Sequence, residues 1–205
     1  MGGNGGSISY CNSTRVVSGS SYYVGGLVGD NWGSISNCYS TGSVSGSNMV
    51  GGLVGVSGGS ISNCYSTDSA SGSQYVGGLV GWNLGSISDC YSTGAVSGGD
   101  YSDYLGGLVG DNYGSISNCY STGAVTGTSY LGGLVGYNDG GSIGNCYSTG
   151  AVTGTSYLGG LVGSNYGTIS SSYFLITSGP NDGNGVPLTD EQMKQQASFV
   201  GWNFN

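Results

Sequence analysis

The sequence predicts an all-β fold: a parallel β-solenoid (β-helix) of about six to seven coils, roughly 26 residues per coil, closed by a short C-terminal helical cap. Three observations carry that expectation. The segment Gly-Gly-Leu-Val-Gly occurs six times, and its leucines (Leu27, Leu53, Leu79, Leu108, Leu134, Leu161) lie 26, 26, 29, 26 and 27 residues apart. Each unit breaks into runs of three to six extended residues between Gly, Asn and Ser turns, with no apolar residues at helical spacing. A unit this small cannot bury its own apolar side, so its core must come from stacking on its neighbours. The period is too short for a propeller blade, and the units lack the helix of a leucine-rich repeat.

The elements follow in order within each unit. Gly-Gly-Leu-Val-Gly leads into a turn rich in Asn and Gly, then an isoleucine (Ile8, Ile35, Ile61, Ile87, Ile116, Ile143, Ile169). Next comes Asn-Cys-Tyr-Ser-Thr-Gly, and then the column Val17, Val44, Ala70, Val96, Val125 and Val152 before a Gly/Ser turn. Coils stacked about 4.8 Å apart place each Ile over the next Ile and each Val over the next Val. Two insertions, at Gly98–Asp103 and Asp139–Gly140, are expected in turns, where a coil can bulge without losing register.

Composition removes several classes of function. Of 205 residues 46 are Gly, there is no His, and two cations (Arg15, Lys194) face ten carboxylates for a net charge of −8. A nucleic-acid partner needs a Lys/Arg footprint, which is missing. A histidine-based triad or metal site lacks its central residue. The carboxylates (Asp30, Asp68, Asp89, Asp100, Asp103, Asp111, Asp139, Asp182, Asp190, Glu191) form no evident column and suggest no acid–base pair, so no enzyme activity is expected. Asn181-Asp182-Gly183-Asn184-Gly185 lacks the spaced acids of a calcium loop and reads as a surface turn. No cofactor and no metal is implied. No apolar run approaches the roughly 20 residues of a membrane span, so membrane insertion is not expected.

The Gly-Gly-Leu-Val-Gly and Asn-Cys-Tyr-Ser-Thr-Gly segments together resemble the GLUG repeat of bacterial surface proteins, over Gly2 to about Tyr173. Such repeats occur as accessory arrays in large secreted bacterial proteins, among them adhesins and some immunoglobulin-cleaving peptidases. The resemblance implies an extracellular scaffold at a bacterial cell surface. The domain reading is a solenoid over residues 1–176 and a C-terminal cap over 177–205. The chain opens in mid-unit, because Gly5-Gly6-Ser7-Ile8 matches Gly140-Gly141-Ser142-Ile143, and reads as a piece of a longer array. Met1 is followed by neither a basic nor an apolar stretch, so no secretory signal is expected within it.

Two columns carry the candidate chemistry. Cys11, Cys38, Cys64, Cys90, Cys119 and Cys146 share one register, which Ser172 continues. Parallel stacking brings their Cα atoms within bonding range but leaves their Cβ atoms too far apart for easy disulfides, so a ladder of free, poorly reactive thiols is expected. Strand parity puts Cys38, Ser40 and Val44 on one side and Tyr39 and Thr41 on the other. With Cys and Val inward, Tyr39, Tyr65, Tyr91, Tyr120, Tyr147 and Tyr173 line the exterior beside Thr41, Thr67, Thr93, Thr122 and Thr149. Ile35 has the parity of Tyr39, so a corner near Asn37 is required; without one the tyrosines turn inside. Leu27 alternates with Val24 and Val28, and either faces out as a lateral interface or is turned inward by a bend.

At the C-terminus, Thr189, Gln192, Asp190 and Glu191 form a capping-box start for a helix near 189–198, with Met193, Ala197 and Val200 facing the last coil. The first coil shows no cap, so homodimers or end-to-end assembly through it are expected. The functional expectation is a structural or adhesive module presenting Tyr, Thr and Ser to a surface glycan, a protein or another copy of the solenoid, its aromatic row serving as a stacking platform. The alternatives are an ice-binding solenoid using the Thr column, and a non-catalytic accessory array of a secreted enzyme.

Overall fold

Asn37, Asn63, Asp89, Asn118 and Asn145, one per coil, all adopt left-handed backbone with φ between 52° and 55° in a computed structural model that describes residues 2–20 and 22–204. Asn and Asp tolerate this region better than other side chains, and one such residue redirects the strand. This is the corner that the opposed parity of Ile35 and Tyr39 demands. It turns the chain between an isoleucine strand such as Ser34–Ser36 and a tyrosine strand such as Tyr39–Ser40.

Each coil passes through four parallel sheets. The first takes Val-Gly-x-Asn strands from Gly3–Asn4 to Val162–Asn165, the second the isoleucine strands from Ser7–Ser9 to Thr168–Ser170. The third takes the tyrosine strands from Asn12–Ser13 onward, and the fourth the valine strands and the segments leading into Gly-Gly-Leu-Val-Gly. The register follows the columns read from the sequence: Ile35 pairs with Ile61 and Ile61 with Ile87, Tyr65 with Tyr91, and Val44 with Ala70. The insertion at Gly98–Asp103 lies not in a turn but inside a long strand, Val96–Gly106. There the pairing jumps from Gly72↔Gly98 to Gln74↔Asp103, so a bulge absorbs three residues and pairing resumes at once. Side chains 100 and 102 lie outside the description, Asp100 among them.

The core has two lobes. One holds the Ile, Cys, Leu and Val28-type columns; the other holds Val24, Val44, Val50, Ala70, Val76, Val96, Leu105, Val125 and Leu131. Leu53, Leu79, Leu108, Leu134 and Leu161 are fully buried, so the bend is real and there is no outward leucine interface. The glycines beside them explain the pinch between the lobes. A Cβ on Gly52 would lie 2.2 Å from both the Gly78 carbonyl and the Ser66 hydroxyl, so only a bare backbone lets the serine column pack against this strand.

The closure of the last coil differs from expectation. The helix spans only Asp190–Met193, with its capping box in place, followed by a 3-10 turn at Gln196–Ser198. Ala197 is exposed and Val200 is 75% exposed, so neither packs on the coil. Phe174 closes it instead, occupying the Ser148 position in the next register and filling the interior completely. The following loop turns back so that Ser178 and Pro180 accept from Val152 and Gly160, and Val186–Leu188 adds an eighth strand to the tyrosine sheet. Large aromatic volume, not an amphipathic helix, covers the apolar end. No helix among the described residues is long and apolar enough to cross a membrane.

Candidate functional site

Parity and the asparagine corner together put the tyrosines of Asn-Cys-Tyr-Ser-Thr-Gly on the outer face. Tyr39, Tyr65, Tyr91, Tyr120 and Tyr147 are half-buried, with successive ring centroids 4.9–5.0 Å apart and planes within 7° of parallel. Thr41, Thr67, Thr93 and Thr122 are exposed two residues along each strand, and Thr149 is partly covered. The strip is therefore a flat ribbon of phenols beside a row of hydroxyls. Its stacking corrects one expectation about how it could bind. Each ring face is covered by the next ring, so the ribbon offers ring edges and hydroxyl groups rather than faces for a ligand to stack on.

Tyr173 departs from the row. It is 3% exposed, donates its hydroxyl to the Val200 carbonyl at 2.8 Å, and packs edge-on against Phe199 and Trp202. Trp202 also tilts over Tyr147 and donates its indole N–H to the Ser171 carbonyl. The tail thus covers the C-terminal end of the ribbon and leaves Tyr39 to Tyr120 as its open length.

On the inner side of the same strands the cysteines make a relay rather than a plain apolar filling. The Cys90 thiol donates to the Ser88 carbonyl at 3.0 Å and accepts the backbone N–H of Cys64 at 3.4 Å; Cys64 and Cys38 repeat the pattern one coil back. Ser172 ends the ladder with the same pair of bonds through its hydroxyl. The register therefore calls for a small side chain that donates and accepts, which Cys and Ser share and alanine lacks. All six thiols are free. Burial raises the Cys38 thiol above its ordinary value; the hydrogen bond with Cys90 and burial raise Cys64, so these thiols stay protonated and inert. Cys11 is the exception to uniform low reactivity, since it is exposed.

Three features escaped the sequence reading. Asparagines of the Gly-x-Asn strands form interior ladders: Asn83 donates to Asn112, Asn112 to Asn138 and Asn138 to Asn165, at 2.7–2.8 Å. Their signal is the Gly-x-Asn that follows Gly-Gly-Leu-Val in five of the six units; in the second unit Ser57 takes the place and accepts from Asn31. A second aromatic row runs Tyr75, Tyr104, Tyr130 and Tyr157, with centroids 4.4–5.0 Å apart and every residue at positive φ. Beside it, the x positions of Gly-x-Asn stack Asp30, Val56, Trp82, Asp111, Tyr137 and Ser164 in one column. Carboxylates that look scattered in the sequence thus gather around rings. Asp111 is 4% exposed, and burial first, then the charge of Asp139, push its carboxyl up to about 7. Asp182, in the tail loop, accepts from Asn184 in a local turn.

Five consecutive segments, residues 20–45, 46–71, 72–97, 101–126 and 127–153, match the family described as the GLUG motif. No curated protein and no solved structure matches the chain.

Proposed function

The chain belongs to the GLUG-motif family, and from that premise we propose that it is a non-catalytic, extracellular repeat module of a bacterial cell surface that adheres to a glycan, a protein or a neighbouring copy. The observation that supports adhesion is the open ribbon from Tyr39 to Tyr120, with its exposed threonine row. Phenol and threonine hydroxyls repeat at the coil spacing, and a polymer or sheet edge with a similar repeat can meet many of them at once. Each contact is weak, but a preordered row adds contacts without further ordering cost. The charge-poor face leaves hydrogen bonding and ring-edge contact as the means of recognition.

Tyr91→Phe tests the reading because it removes one central hydroxyl and keeps the stack. Expected is an unchanged melting curve with reduced retention on glycan arrays or on bacterial surfaces. Tyr91→Ser also removes the stacking with Tyr65 and Tyr120, so about 1–3 kcal/mol of stability should go with it, at roughly 0.5–1.5 kcal/mol per aromatic pair. Retention that survives both substitutions removes the ribbon from the adhesive surface. The exposed threonine row also favours ice binding as a second reading; thermal hysteresis that disappears in Thr93→Val selects it, and an absence of hysteresis rejects it.

A further inference from the structure

The tail meets the tyrosine ribbon at a groove made of two adjoining cavities, of about 210 Å³ and 290 Å³. Asn118, Asn145, Asn203 and Trp202 line both, and the larger also takes in Tyr120, Tyr147 and Phe204. Amides thus enclose the smaller space, and aromatic rings extend it into the larger one. Asn118 and Asn145 are left-handed corner residues at φ 54°, so the turn itself fixes where their side chains start. Their amides are chained: Asn145 Nδ2 donates to Asn118 Oδ1 at 3.4 Å, and Asn118 Nδ2 donates to Asp89 Oδ1 at 3.1 Å. Among the described residues nothing donates to Asn145 Oδ1, which is the acceptor end of this chain beside the groove.

On the tail side, the Trp202 indole N–H is held by the carbonyl of Ser171, the corner residue of the last coil at φ 43°. Gly201, at φ 90°, lets the tail lie this close, since a Cβ there would stand 2.6 Å from the Ser171 hydroxyl. Tyr173 has left the row, so Trp202 stands over Tyr147 at 6.2 Å and 47°, where the row would otherwise continue parallel at the 5.0 Å of Tyr120 and Tyr147. The stack therefore ends in a wedge between two tilted rings, with Phe204 48% exposed along the groove. None of the lining residues carries a charge. Lys194 pairs with Asp190, and Arg15 belongs to the first coil.

Within the adhesive reading of the tyrosine face, on which this rests, we propose that the groove binds one uncharged pyranose unit of a glycan. A pyranose has an apolar C–H face and a rim of hydroxyls that both donate and accept. Aromatic side chains meet the first and amides the second, because an Asn side chain donates and accepts from neighbouring atoms, as adjacent hydroxyls require. The space suits a single ring: the larger cavity stands near the lower limit of about 300 Å³ for small-molecule sites. Acidic sugars are disfavoured, since no cation lines the groove and the chain's net charge of −8 repels them. Corner backbone and pinned indole are already ordered, so binding spends little on ordering them.

The test titrates the intact chain with the methyl glycosides of glucose, galactose, mannose and N-acetylglucosamine, and with N-acetylneuraminic acid and glycerol as controls. The readouts are the Trp202 indole and Asn145 amide resonances, assigned with Trp202→Phe and Asn145→Gly. Expected is a saturating shift of both with at least one glycoside, and of neither with either control. Asn145→Gly suits the positive φ and removes the amide, so binding followed at Trp202 should weaken about fivefold. Phe204→Ala should weaken it severalfold. Saturation by glycerol or N-acetylneuraminic acid, no saturation by any glycoside, or unchanged binding in Asn145→Gly overturns the proposal. If Asn145→Gly fails to fold, unchanged binding in Phe204→Ala overturns it equally. Shifts confined to the rings of Tyr39, Tyr65 and Tyr91 overturn the groove and leave the ribbon as the adhesive surface. Retention that survives Tyr91→Phe and Tyr91→Ser but not Asn145→Gly upholds the groove and removes the open ribbon.

Discussion

At the scale of single residues, the positions that break the repeat are the informative ones. Asp68 stands where other coils have Gly42, Gly94, Gly123 and Gly150, and it is 2% exposed. It accepts from the Ser40 hydroxyl, while its Oδ1 has no partner. Burial outweighs that hydrogen bond and pushes the carboxyl up to about 6. A folded-state value above the unfolded value of about 3.9 means the native state holds the proton more tightly. Stability is then fullest below about pH 4 and is lost as pH rises through about 6 for Asp68, and about 7 for Asp111. The cost at neutral pH from Asp68 is on the order of 3 kcal/mol. Melting temperature should therefore rise by several degrees between pH 8 and pH 5, opposite to the usual acid weakening of salt-bridged proteins. Asp68→Asn, which can still accept from Ser40, should raise stability at pH 8 and flatten part of the slope. A melting temperature independent of pH across that range contradicts the buried-carboxyl account.

At the scale of the element, what could be read from the sequence was whatever repeats within one strand. The isoleucine, tyrosine and valine columns gave the register because identical residues recur one coil apart, and the asparagine corner followed from a parity conflict. The leucine placement did not follow, because alternation along a strand cannot see the bend at Gly-Gly-Leu. The Asp111 patch was hidden for a related reason. Tyr75 and Trp82 belong to different sheets of one coil, on either side of that bend, and only the folded corner brings them within 6.3 Å. The cysteine register is legible in the sequence, but its hydrogen bonding is not, because only the folded coils bring Ser172 into the same two bonds. That equivalence is testable. Cys90→Ser should keep the relay and the fold, whereas Cys90→Ala leaves the Cys64 N–H unpaired and should cost about 1–3 kcal/mol. Equal melting temperatures for the two variants would show that the thiol is only a space-filler.

At the scale of the whole molecule, the two ends of the solenoid are unequal. The C-terminal end is covered by Phe174, the returning loop and the strand Val186–Leu188. The first coil instead presents Gly3–Asn4, Ser7–Ser9 and Asn12–Ser13 as the terminal strands of their sheets. Above them Val17, Tyr22, Tyr23 and Val24 line an open cavity of about 400 Å³. Unpaired edges beside apolar surface favour pairing with another chain. For the 205-residue chain taken by itself, we propose that the covered C-terminal end disfavours head-to-tail growth and that two first coils meet face to face. A two-fold axis then pairs their edge strands antiparallel and closes the assembly as a dimer. Light scattering on this 205-residue chain should show a concentration-dependent dimer that does not grow into longer species. A charged segment appended before Gly2 should return it to monomer, because the added coil covers the cavity and charges the edge. A monomer at high concentration without that segment means the first coil is self-sufficient, and chains longer than the dimer mean the C-terminal closure is open to exchange.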